Sequence, residues 1–211
     1  DREAITDGPV GRVLLVLAAP LVAQNVVYVA NALIDTFWLG RVGEDAVAAV
    51  GLSLPIQSLL GATVVIGAVG TQILVSQRAG DEDESGARRV AVNGALVALL
   101  VTAAVALPVV RYAEGLVRLL GADPALAGTT ATYLAVVVAV LPVGAVGDTV
   151  ENCFTAYGDT RAVFHVTLVS VLVNLVAAPT LIFGVGPAPE FGVAGAALGT
   201  ALASVVGLLW I

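Results

Sequence analysis

Residues 24–43 read QNVVYVANALIDTFWLGRVG, a stretch of mostly aliphatic and aromatic side chains with an aspartate, Asp35, set inside it. The apolar run reaches back to about Val13. It is far longer than a barrel strand of about 10 residues and shows no strict alternation, so it predicts a membrane helix. An ionised carboxylate at the centre of such a helix costs about 3 kcal/mol on insertion scales, so Asp35 reads as a functional residue turned toward protein or water rather than lipid. Gln24, Tyr28 and Asn31 precede it at the spacing of one helical face. The four form a single polar stripe. Gln24 and Asn31 equally fit interhelical hydrogen-bonding groups worth about 1 kcal/mol each, and Asp35, close to the end of the run at Leu39, also fits an interfacial carboxylate.

The rest of the chain repeats this pattern. Of 211 residues 59% are hydrophobic and 12% charged, with a mean hydropathy of +1.01, whereas an ordinary globular domain carries about 25% charged residues. The charges cluster between six apolar runs, at about 13–39, 46–75, 90–110, 130–156, 162–183 and 193–211, each long enough to span a bilayer. DREAITDGPVGR (1–12) opens the chain, SQRAGDEDESGARR (76–89) separates the second and third runs, RYAEGLVRLLGADPALAG (111–128) makes a partly amphipathic connection, and GVGPAPEFG (184–192) is rich in turn residues. The expected fold is an all-α integral membrane protein, a bundle of six transmembrane helices. Gly and Pro inside several runs agree with this, because neighbouring helices re-satisfy the backbone. The first run is too long for a signal peptide and lacks its small-residue cleavage pattern. Cys153, the one cysteine, reads as a small buried hydrophobe.

Lys is absent, so orientation rests on Arg. With the N-terminus inside, Arg2, Arg12, Arg78, Arg88, Arg89 and Arg161 are cytoplasmic, against Arg41, Arg111 and Arg118 outside. The bias predicts a multi-pass protein of the cell membrane with a cytoplasmic N-terminus. A net charge of −7, the missing Lys and the DEDE cluster at 81–84 fit a surface bathed in high salt, hence a halophilic source; acids that favour a helix N-terminus give the plainer reading of that cluster. With no Met, residue 1 is expected not to be the natural start, and the last run is still apolar at GLLWI, 207–211.

A second set of acids lies in the fourth run, in GAVGDTVENCFTAYGDTR (144–161). Asp148, Glu151 and Asn152 are spaced to share a face. Two carboxylates that close resist ionising together, which makes either a proton site or a cation site; a pair solvated at the cytoplasmic mouth of the helix is the plainer alternative. Asn174 is alone in the fifth run, and Thr200 and Ser204 stand four apart in the sixth; packing and function fit them equally. Phosphate-loop and paired Cys or His ligand motifs are missing, and the single His165 reads as an interfacial or packed imidazole. No enzymatic role and no cofactor is expected. An acidic chain without a basic stripe also argues against nucleic acid. A transporter or a membrane interaction protein is left.

Four segments resemble the multidrug and toxic compound extrusion (MATE) transporters. PLVAQNVVYVANALIDTFWLGRVGEDAVAAVGLSLPI (20–56) is similar to their opening, with a Pro-Leu start, one Asp in the first helix and an A-A-V-G-L stretch. VGTQILVSQRAGDEDESGAR (69–88), YGDTRAVF (157–164) and FGVAGAALGT (191–200) resemble, in order, their S-Q-x-x-G-A-x-D loop, their G-D-T-R segment and the entry to their sixth helix. The resemblance implies a twelve-helix exporter of organic, often cationic, compounds driven by inward H⁺ or Na⁺. This chain, 1–211, would be its N-terminal six-helix lobe, with a C-terminal lobe, a small organic substrate and membrane lipid as partners. It further implies that Asp35 is the first-helix acid, Pro20 the first-helix kink, Asn174 a fifth-helix ligand and Thr200 a sixth-helix hydroxyl. Gln24, Tyr28 and Asn31 would line the substrate cavity. Archaeal members usually carry an Asp where this chain has Ala178, before Pro179. Asp148 and Glu151 stand where such members more often have asparagines, so negative charge is expected to have moved from the fifth helix to the fourth. The ion-coupling set is then Asp35, Asp148, Glu151, Asn174 and Thr200, able to hold H⁺ or, as its one metal, Na⁺. The alternatives are a lipid-linked oligosaccharide flippase of the same superfamily, which would normally have a more basic cavity, and a non-transporting helix-bundle interaction protein.

Overall fold

The computed structural model describes residues 10–210; Arg2 and the terminal Ile211 lie outside the described residues. Among those described, the chain is helical throughout: α1 (Val10–Val42), α2 (Glu44–Gly80), α3 (Glu84–Arg111), the short α4 (Ala113–Leu119), α5 (Pro124–Ala156), α6 (Thr160–Phe183) and α7 (Val193–Leu209). By length and composition α2, α3, α5 and α6 are each long and apolar enough to cross a membrane. The 33-residue α1 and the 17-residue α7 complete a bundle of six long helices.

Several helices run past the apolar segments because helical hydrogen bonding does not depend on hydropathy, while caps do decide where a helix begins. Asp83 accepts from the backbone N–H of Gly86 at 2.9 Å and starts α3 at Glu84, before the apolar run. Asp123 accepts from Ala125 N–H at 3.0 Å with Pro124 in the first turn of α5, and Asp159 accepts from Ala162 N–H at 3.0 Å ahead of α6. The Asp83 carboxyl is held below the usual carboxylate range first by that Gly86 N–H and then by the Ser85 hydroxyl. α4 occupies part of the connection after the third run, and its fully buried Val117 joins Leu134 and Val138 of α5 in one apolar cluster.

Helix α5 is the hub, packed on α2, α3, α4, α6 and α7, while α1 leans mainly on α6. At the α6–α7 contact side chains of α7 give way to backbone-to-backbone approach. A Cβ placed on Gly199 would lie 2.8 Å from the Ala178 backbone, and one on Gly195 would strike the Leu181 carbonyl. Small residues give α7 that approach, where larger ones would hold it off. The chain leaves α6 through Gly184, whose φ of 66° is the left-handed conformation that glycine adopts without strain.

Candidate functional site

The polar stripe of α1 faces the rest of the bundle and divides between two clusters. At one, Asp35 Oδ2 accepts from Asn31 Nδ2 at 3.1 Å and Oδ1 from Asn174 Nδ2 at 2.9 Å. Asn174 Nδ2 also donates to Asn31 Oδ1 at 3.1 Å, and the Thr200 hydroxyl donates to Asn174 Oδ1 at 3.5 Å. Residues from the first, fifth and sixth apolar runs thus meet around one carboxylate. Asn174 is 2% exposed, so its amide has no water to fall back on and is satisfied by these partners.

At the second cluster, about three helical turns nearer Pro20, buried Gln24 extends Nε2 to Thr167 Oγ1 at 2.9 Å and to Glu151 Oε2 at 3.3 Å. This ties α1 to α5 and α6 together. Pro20 lies in the interior of α1, one turn before Gln24. Its ring removes one backbone hydrogen bond, which gives α1 a place to bend.

A cavity of about 150 Å³ connects the clusters, lined by Tyr28 and Asn31 of α1, Asp148 and Glu151 of α5, Asn174 of α6 and Thr200 and Ser204 of α7. A second cavity, also of about 150 Å³, shares Thr200 with the first and is lined by Asp35, Gln57 and Tyr133. All eight residues singled out in the sequence as lining or ligand groups therefore meet at these two cavities, Gln24 through its bond to Glu151. Asn152, spaced to share the face of Asp148, does not join that carboxylate; its Nδ2 donates to the Asp148 backbone carbonyl at 2.8 Å.

The structure also explains Ala178. It is 1% exposed and belongs to an apolar cluster with Leu39, Ala46, Ile182 and Ala196, directly against Gly199. Close α6–α7 packing leaves no volume there for a carboxylate. The sequence reading missed Thr167, Gln57, Tyr133 and Ser170, the last a further lining residue of the first cavity. Thr167 has no local signal, since a lone threonine in a membrane helix usually bonds its own backbone, as this one does to Val163 at 3.1 Å. Gln57, an isolated amide in the second apolar run, could have been found by the criterion that picked out Gln24.

The MatE family model matches residues 20–180. The chain belongs to the MATE family. It is 33% identical to a probable multidrug resistance protein NorM of Deinococcus radiodurans over 94% of this chain and 44% of that one. It is 26% identical to a FAD transporter of Shewanella oneidensis over 99% of this chain and 46% of that one. Among solved structures it superposes with a TM-score of 0.87 and 25% identity on a MOP superfamily transporter of Pyrococcus furiosus Vc1, described as having a binding pocket of reverse polarity, covering 98% of this chain and 45% of that one. MATE proteins are membrane transporters, not enzymes. The chain spans less than half the length of each of these relatives, so its six-helix bundle is equivalent to one lobe of a MATE transporter.

Proposed function

We propose that this MATE chain is the N-terminal lobe of a cation-coupled antiporter that exports organic, often cationic, compounds across the cell membrane, with a second lobe completing the transporter. One observation carries the reading: Asp35, within a membrane helix, lines one small cavity and is held by amides from α1 and α6, Asn31 and Asn174, that line another. The arrangement suits a site that gains and loses a cation. While ionised, Asp35 makes charge-assisted hydrogen bonds to Asn31 and Asn174, stronger than neutral ones. Protonation, or Na⁺ shared among the oxygens of Asp35, Asn31, Asn174 and Thr200, weakens or replaces the bond between α1 and α6. The freed half of α1 then bends at Pro20 and changes access to the cavity.

A lipid-linked oligosaccharide fits this lobe poorly, because neither cavity has an Arg, Lys or His among its described lining residues to meet a phosphate group. A bundle serving only as an interaction surface has no need of buried amides arranged about a carboxylate.

The decisive experiment places the full-length protein in proteoliposomes, imposes an H⁺ or a Na⁺ gradient separately, and follows a fluorescent cationic dye. Dye movement against its own gradient under one of the two ions is expected and identifies that ion; no movement under either overturns the reading. The proposed orientation has a cytoplasmic N-terminus and the Asp81–Asp83 turn inside. Cysteine placed at Ser85, which is exposed, is expected to resist an impermeant thiol reagent in intact cells and to react in opened ones. The acidic surface supports a halophilic source, in which long-range repulsion among these acids is screened.

A further inference from the structure

The two cavities differ in what the acids on their walls already bind. Both oxygens of Asp35 accept amide donors. One oxygen of Glu151 is held by Gln24. Asp148 carries no hydrogen bond on its carboxylate from any described residue, and the amide one turn away, Asn152, is committed to the backbone. Asp148 is nonetheless open to the cavity, and half-exposed Tyr28 lines the same space with an aromatic ring. A carboxylate pair with an aromatic neighbour and no cationic lining residue recognises an organic cation, through ion pairing and the negative face of the ring. Asp35 lines a different cavity, which shares only Thr200 with this one.

From this geometry, and resting on the exporter reading above, we infer that Asp148 and Glu151 are the specificity-determining residues that hold the cationic centre of the exported compound, apart from the ion site at Asp35. The cavity accordingly selects by charge. A monocation or dication with its charge on an ammonium or phosphonium centre is accepted. A flavin dinucleotide, whose pyrophosphate is anionic, is rejected despite the similarity to a FAD transporter.

The test is equilibrium binding of radiolabelled tetraphenylphosphonium to the purified full-length protein, with FAD as competitor. Asp148→Asn with Glu151→Gln, which keeps the side-chain sizes, is expected to raise the Kd about tenfold or more. Asp148→Glu is expected to stay near the parental value, and FAD to displace nothing. Asp35→Asn is expected to lose ion-driven transport while still binding the probe. Parental affinity in the Asn/Gln double variant overturns the inference, as does displacement by FAD, or loss of probe binding in Asp35→Asn alone. If the parental protein moves organic cations but the double variant binds as tightly, only this inference fails. A parental protein that neither binds nor moves them overturns the exporter reading as well.

Discussion

Asp35 and Asp148 are both carboxylates inside apolar helices, yet their surroundings are opposite. Asp35 is a knot. Three helices converge on it through Asn31, Asn174 and Thr200, and its charge is matched by amide donors. Asp148 meets no donor among the described residues and opens on a cavity. The lesson is that a buried acid's role follows from its partners more than from its burial. A carboxylate whose hydrogen bonds are all internal responds to anything that changes its charge by releasing a structural contact. One without internal partners is free to pair with a cation that enters the cavity.

The sharpest break of this comparison is at Asp35. Asp35→Asn keeps size and one of the two acceptor oxygens but cannot titrate. Ion-driven dye efflux in proteoliposomes is expected to fall to background, while helical content and membrane insertion are kept; Asp35→Glu should retain part of the activity. Efflux at the parental rate in the Asn variant would reduce Asp35 to a structural residue and hand its role to Asp148 and Glu151.

Next in size is the packing that keeps an acid out of position 178. Gly199→Leu would push a side chain into the Ala178 backbone. The loss is expected to be about 3 kcal/mol or more, seen as a large drop in the thermal midpoint of the detergent-solubilised protein. An unchanged midpoint would mean that α6 and α7 are not in this close contact.

Asn174→Ala tests the knot more gently. It removes the α6 donor to Asp35, a hydrogen bond to a charged group worth about 2 kcal/mol. The folded protein is expected to survive with its coupled efflux lowered about tenfold, and Asn174→Gln should not fully restore it because the longer amide cannot sit in the same buried place. Equal efflux in parent and Ala variant would show that α1 and α6 are held together by other contacts.

The smallest effect is expected at Asp83, a carboxylate of a third kind, whose partners are the first turn of its own helix and its loop. Because these hydrogen bonds hold its carboxyl below the usual range, its stabilising contribution is fully present above the ordinary carboxylate range and fades as pH falls through the lower, folded value. Asp83→Ala should therefore speed hydrogen exchange at the first turn of α3 at neutral pH, and the difference between variant and parent should shrink in acid. Efflux should not change.

How much of this was legible beforehand differs between fold and site. Runs such as 13–39 and 162–183 were visible as membrane helices because hydrocarbon admits no unsatisfied backbone, so an apolar stretch of that length has few alternatives. The helix ends were less visible, since Asp83, Asp123 and Asp159 extend helices into polar sequence by capping them. The side of α1 that faces inward was also legible: Gln24, Tyr28, Asn31 and Asp35 share a face, and polar groups avoid lipid.

Sequence alone thus determined that the chain is a helical membrane bundle, which helices carry acids, and that position 178 lacks one. It did so because the bilayer acts as a one-dimensional filter on composition along each helix. Only the tertiary structure decided which acid is saturated and which is open. That depends on pairs more than 100 residues apart, such as Asp35 with Asn174 and Gln24 with Glu151, brought together by how α1 leans on α6 and how closely α7 packs through Gly195 and Gly199. Hydrogen bonds are short-ranged and directional, so a helical face fixes which residues look inward but not which donor each of them meets.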